Sequence, residues 1–184
     1  MADIKKINTP LTEEAIKDLK AGDMVSISGV IYTARDAAHK RLLQTLSEGK
    51  ELPFSIDGQI IYYVGPCPAK PPRAFGSCGP TTSFRMDAYA PTLLDKGMKG
   101  MIGKGQRTQP VIDSMIQNKA VYFAAIGGAA ATISRSVTKA EIVAYEDLGP
   151  EAIYKLEVDD FPAIVVIDSE GTDQYKVGPE KYKK

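Results

Sequence analysis

The sequence predicts a mixed α and β fold, and three observations carry that prediction. Apolar, β-branched runs at Met24 to Tyr32, Gln59 to Val64 and Val121 to Ile126 alternate with segments of helical period at Asp36 to Ser47 and Thr108 to Asn118. A length of 184 residues suits one full-sized domain, 1–184, with a core of its own. A composition of 43% apolar and 25% charged residues is close to that of an average soluble globular protein and argues against disorder, collagen or coiled coil.

The elements follow in order. Thr12, then Glu13 and Glu14 and an Ala15, Ile16, Leu19 stripe, predict a short capped helix within an N-terminal helical arm, 1–22, which packs outside the core. Met24 to Tyr32 predicts a strand interrupted or bulged at Gly29. Asp36 to Ser47 places Ala38, Leu42, Leu43 and Leu46 on one helical face, with Gly49 as the stop. Gln59 to Val64 is the next strand. Residues 65–80, GPCPAKPPRAFGSCGP, hold five prolines and three glycines and can only be a shaped surface loop. A helix is predicted from Thr81 to Lys96, broken or kinked at Pro91. Lys99 to Ile102 reads as a strand, Thr108 to Asn118 as a helix with Pro110 in its first turn, and Val121 to Ile126 as a buried strand before a small-residue turn, Gly127 to Thr132. Glu141 to Tyr145, Ala152 to Glu157 and Ala163 to Ile167 predict a strand-rich C-terminal part.

Charge and cysteine content narrow the function classes. Twenty-three basic residues balance 23 acidic ones, and the bases are dispersed apart from Lys181, Lys183 and Lys184, which argues against nucleic acid as a partner. The longest run free of charged or strongly polar side chains, Ala120 to Ala131, is too short for a membrane span. MADIKKINTP has no apolar h-region, so a cytoplasmic address is expected. Cys67 and Cys78 are expected as free thiols and are too few to hold an iron-sulfur cluster or structural zinc, so no metal site is assigned to this chain.

Three stretches place cations or hydroxyls among turn-forming residues: Thr33 to His39 (TARDAAH), Gly79 to Asp87 (GPTTSFRMD) and Ile102 to Arg107 (IGKGQR). Arg35 sits at a strand-to-helix junction, where backbone N–H groups attract anions. Thr81 opens the predicted helix, with Arg85 one turn later on the same face. Glycines on both sides of Lys104 let backbone approach a ligand. All three could face one pocket for a small dianion. Plainer readings stand beside these: Thr81 or Thr82 as an N-cap, Arg35 and Arg85 as surface ion-pair partners, Lys104 as a solvated turn residue, His39 as a structural residue. A phosphate-binding loop fails at Gly103-Lys104, because position 98 is Met and Gly105 stands where Ser or Thr is required. The G-x-S-x-G and H-E-x-x-H hydrolase motifs are absent from the sequence.

In this order and spacing, TARDAAH, YYVGPCPAKP, GPTTSFRMD, IGKG and the late DFPAIVVID resemble the β subunit, or C-terminal domain, of the class I iron-sulfur-dependent fumarate hydratases, with the L(+)-tartrate dehydratase β subunit as sibling. The resemblance runs from about Thr9 to Asp168. It implies a single swivelling β/β/α domain and reversible hydration of fumarate to (S)-malate. It further implies that Arg35, Arg85 and Lys104 bind the substrate carboxylates and that Thr81 occupies the proton-transferring position. A 4Fe-4S cluster would reside on a partner α subunit, giving a hetero-oligomer; a homodimer of the isolated chain stays open. The chemistry fits those residue types: Arg pairs a carboxylate through a planar fork and Lys adds a point charge. Expelling hydroxide needs a Lewis acid, which a cluster iron with an open position supplies. A free threonine hydroxyl is too weak an acid to serve unaided, so Thr81 either moves the proton when activated or positions the group that does. Tartrate as substrate, and a binding module without chemistry, remain the alternatives.

Overall fold

The computed structural model describes residues 3–125, 130–180 and 183. In chain order the elements are β1 (Ile4–Asn8), α1 (Glu13–Lys17), β2 (Met24–Thr33), α2 (Asp36–Ser47), β3 (Ile60–Tyr62), a 3-10 turn (Ser83–Met86), α3 (Ala90–Asp95) and β4 (Gly100–Gly103). Then come α4 (Gln109–Asn118), β5 (Val121–Ala124), α5 (Ala130–Ile133), β6 (Val137–Ala144), β7 (Ile153–Ile167) and α6 (Gln174–Glu180). The predicted turn from Gly127 and the residue Ile126 fall mainly outside the described residues.

The sheet runs β1-β2-β3-β4-β5-β7-β6, and an added β2–β7 pairing closes β2, β3, β4, β5 and β7 into a small barrel. β1 through β5 are mutually parallel, while β7 is antiparallel to β5, β2 and β6. Alternation along the strands produces two cores. Val25, Ile27, Ile31, Ile60, Tyr62, Ile102, Phe123, Leu156, Phe161 and Val165 fill the barrel. Tyr63, Met101 and Tyr122 point the other way and pack with Ala38, Leu42, Leu93, Val111 and Met115 of the covering helices. The mixed α and β expectation therefore holds, with a barrel as its β part.

Most differences from the sequence reading have local causes. The first twenty residues do not pack outside the core: Ile7, Leu11, Ile16 and Leu19 belong to it, and β1 pairs with β2 from Ile4–Met24 to Asn8–Ser28. α1 is capped as expected, with Thr12 Oγ1 accepting the Ala15 N–H at 3.2 Å. The β2 irregularity lies between Ile27 and Gly29, where φ is +114° and an added Cβ would lie 2.5 Å from Thr9 Oγ1. No helix starts at Thr81. Thr82 precedes a four-residue 3-10 turn, and Pro91 sits in the first turn of a separate α3, a position that needs no backbone donor, so it starts a helix and does not kink one. The two C-terminal strand segments are one strand, β7, bent where Asp160 takes φ of +51°.

Candidate anion-binding site

Three adjacent parallel strands deliver the three stretches. Arg35 follows the carboxyl end of β2, Thr81 returns to β3 by donating its N–H to the Tyr63 carbonyl at 2.7 Å, and Lys104 follows β4 directly. Ligands of parallel sheets bind at carboxyl ends, where loops rather than ladder bonds terminate the strands.

A single carboxylate brings the two arginines together. Arg85 Nε lies 2.9 Å from Asp36 Oδ1, and Arg35 Nη2 lies 3.7 Å from Asp36 Oδ2. Glu151, from the turn before β7, supports the same corner: its Oε1 is 3.4 Å from Arg35 Nη2 and its Oε2 accepts the Ala37 N–H at 3.1 Å. The ion-pair reading of Arg35 and Arg85 thus has real partners. Even so, Arg85 keeps 47% of its side-chain surface exposed and Arg35 keeps 23%, so both retain donors for a ligand.

The Lys104 turn is bonded to the Thr81–Arg85 segment. Thr82 and Lys104 form an isolated parallel bridge, Ser83 N–H donates to the Lys104 carbonyl at 2.9 Å, and Lys104 N–H donates to Ser83 Oγ at 3.1 Å. Tyr122 OH lies 2.8 Å from Ser83 Oγ and 2.9 Å from the Gly105 carbonyl, and the Gly105 N–H donates to Tyr175 OH at 3.1 Å. Gly103 is required here by close approach: an added Cβ would lie 1.9 Å from Ser83 Oγ. The Lys104 side chain itself is exposed.

Below the rim, Arg107 and Asp87 make a buried ion pair, Nε to Oδ1 at 2.7 Å, with side-chain exposures of 0% and 8%. Asp87 Oδ2 also accepts the Thr108 N–H that begins α4, at 2.7 Å. Burial opposes the Arg107 charge, and Tyr63, Asp87 and Tyr122 outweigh it, holding that guanidinium above its ordinary value. His39 is fully buried, and desolvation pushes it down to about 4, so it is neutral near pH 7. That agrees with a structural His39.

The structure therefore joins Arg35 to Arg85 through Asp36, and ties the Lys104 turn to the Thr81–Arg85 segment through Thr82 and Ser83. Neither Thr81 nor Thr82 caps a helix with its side chain. Asp36, Glu151, Ser83, Tyr122, Tyr175, Asp87 and Arg107 were not singled out by the sequence as site residues. Only the glycine before Lys104 hinted at the tight contact with Ser83.

A metal cluster does not fit this chain's described residues. They contain no group of three His, Cys, Asp or Glu placed to hold an ion. Cys67 is exposed, and Cys78 is buried with its thiol pushed up to about 12 by desolvation, which suppresses the thiolate a cluster ligand needs. Among the described residues, no helix is long and apolar enough to cross a membrane.

Comparison with known proteins adds a family. The family model described as Fumarase C-terminus matches residues 2–178. The chain is 40% identical over 176 residues to "Fumarate hydratase class I, anaerobic" of Escherichia coli (strain K12), covering 92% of this chain and 32% of that protein. It is 35% identical over 164 residues to "Fumarate hydratase 2" of Leishmania major, covering 88% and 29%. A Methanocaldococcus jannaschii chain, named as a candidate L(+)-tartrate dehydratase subunit beta, is 38% identical over 181 residues, covering 95% of this chain and 93% of that one. The chain thus spans about a third of the length of those fumarate hydratases and nearly all of the tartrate dehydratase relative.

Proposed function

The chain belongs to the fumarase C-terminus family, and from that premise we propose that it is the β subunit of a hydro-lyase that interconverts fumarate and (S)-malate. The observation that supports this reading is that Arg35, linked to Arg85 through Asp36, and Lys104, bridged to Thr82 next to Thr81, lie beyond the carboxyl ends of neighbouring parallel strands. A four-carbon dicarboxylate needs cationic anchors and a proton-handling group within one small volume, and these residues provide both.

In this reading Arg35 and Arg85 hold substrate carboxylate through guanidinium N–H donors not used by Asp36 and Glu151. Lys104 adds a point charge on the opposite side of the Thr82 bridge. Thr81 Oγ1 handles the proton at the malate C3 carbon. No helix N-terminus activates it, since only a four-residue 3-10 turn follows. Activation comes instead from Lys104 and from groups brought by a second chain. Arg85 and Lys104 stand on an open surface, so a larger chain closes over them and excludes water. That chain carries the 4Fe-4S cluster, because the described residues of this one offer no ligand set for it. We propose further that residues 1–184 move as one swivelling unit in that closure.

The reading of L(+)-tartrate as substrate is favoured by one observation: the relative matched over 93% of its own length is a separate subunit bearing that name. The test is an anaerobic assay of this chain alone and with its larger cluster-bearing chain, using fumarate and L(+)-tartrate. The proposal expects no turnover by this chain alone and hydration of fumarate by the pair. Turnover of tartrate only would shift the assignment to the sibling. Dicarboxylate binding without turnover by the pair would make it a binding module.

A further inference from the structure

A buried polar file runs beneath the rim, and the mechanism above does not use it. His39 Nδ1 lies 2.9 Å from the Arg35 carbonyl oxygen. That oxygen can only accept, so Nδ1 carries the hydrogen and Nε2 of the neutral ring is an acceptor. Nε2 is buried without a hydrogen-bond partner. Tyr63 stands edge-on to His39, ring centroids 5.3 Å apart at 71°, and its hydroxyl is likewise buried and unpartnered. The Arg107 guanidinium carbon lies 5.3 Å from the Tyr63 ring centroid. Its Nε is taken by Asp87 and its Nη1 points to Met101 Sδ at 3.2 Å, while Nη2 is buried and unpartnered. His39 and Arg107 thus both lie against the same tyrosine ring, one with a free acceptor and the other with a free donor, and the Tyr63 hydroxyl can serve as either.

We propose that one internal water molecule joins His39 Nε2, Tyr63 OH and Arg107 Nη2, and that the joined file positions the anion-facing residues. Three unsatisfied buried polar groups are costly, and a water with three such partners is the usual remedy. An anion is disfavoured by the Nε2 lone pair and by Asp87, and a cation by Arg107. The positioning role follows from where the members come from: His39 belongs to the Arg35 stretch, Asp87 to the Arg85 stretch and Arg107 to the Lys104 stretch. A rigid file under all three fixes their spacing, which matters when two carboxylates must be gripped at once. This role rests on the reading of Arg35, Arg85 and Lys104 as dicarboxylate ligands.

The chain has a single histidine, so 15N imidazole NMR of the full chain reports His39 alone. The expected spectrum shows a protonated Nδ1 and a hydrogen-bonded, unprotonated Nε2. Tyr63→Phe should move the Nε2 resonance and lower the unfolding midpoint, and in the enzyme assembled with the larger chain it should raise KM for the dicarboxylate by about tenfold. A raised midpoint with an unmoved Nε2 signal would overturn the water bridge, since removing an orphaned hydroxyl relieves a penalty. A moved signal and lowered midpoint with unchanged KM would overturn the positioning role. An Arg85→Ala enzyme that keeps full dicarboxylate turnover would overturn the underlying site reading instead, and the two measurements on the isolated chain would still stand.

Discussion

The exposed rim and the buried layer that supports it come from the same three stretches of chain and follow opposite rules. On the rim, Arg35, Arg85 and Lys104 keep access to solvent, and the two arginines share carboxylates at 2.9 to 3.7 Å with donors left over. In the layer, Arg107, Ser83 and His39 are fully or almost fully buried, and each is committed to a protein partner. A charged pair near solvent contributes little to stability and can be redirected to a ligand, whereas a buried pair cannot lose one member cheaply. The contrast teaches that one motif can carry a ligand-facing residue and, a few positions away, the residue that holds it in place.

The contrast breaks first at Asp87. Asp87→Ala leaves the Arg107 charge buried without its carboxylate and should cost about 3–5 kcal/mol of unfolding free energy. Chemical denaturation measures it, and a loss below about 1 kcal/mol would show that the layer is not under tension from burial.

Acid sharpens the contrast next. His39 titrates near 4 in the folded chain against 6.5 for an ordinary histidine, with desolvation and Arg107 lowering it and the Arg35 carbonyl and Asp36 opposing them. The unfolded chain therefore binds the proton first, so this contribution is complete above about pH 6.5 and is lost as pH falls toward 4. Its size is on the order of 3 kcal/mol. A pH series of unfolding midpoints should show that acid limb, and it should flatten in His39→Gln.

Thr81 commits its backbone N–H to the Tyr63 carbonyl, and the proposed function uses its hydroxyl on the rim. Thr81→Asn should leave stability within about 0.5 kcal/mol and lower kcat by about a hundredfold, while Thr81→Ser retains measurable turnover. A stable, fully active Asn variant would remove Thr81 from proton transfer.

Within the buried layer the smallest effect is expected at Gly103. An Ala there meets Ser83 Oγ and should cost about 1–3 kcal/mol by overpacking. The built Cβ lies 3.3 Å from Ser83 Cβ, so Gly103→Ala combined with Ser83→Ala should recover part of the loss, as thermal unfolding of the pair would show.

Legibility in the sequence followed the same division. α2 was read with its true bounds because Ala38 and Leu42 mark a buried helical face by spacing alone. The rim cations were legible because turn residues surround them. β1 was not, since Lys5 and Lys6 break the apolar alternation and only Ile7 of that edge strand is buried. Asp36 stood in plain view beside Arg35, but its link to Arg85 is tertiary. Glu151 reaches the start of α2 across 114 positions, and no local pattern encodes such a contact. Ser83 and Tyr122 look like ordinary residues until β4 and β5 place them beside the Lys104 turn.

The most direct test of the central claim compares Arg85→Ala with the unchanged chain in the enzyme assembled with the larger chain, reading kcat/KM for fumarate and the unfolding midpoint together. A charge-assisted hydrogen bond to a carboxylate is worth roughly 1.5–3 kcal/mol, so kcat/KM should fall by about tenfold to a hundredfold or more while the midpoint barely changes. A lowered midpoint with kcat/KM intact would mean that Arg85 serves its ion pair with Asp36 and that the rim is no dicarboxylate site.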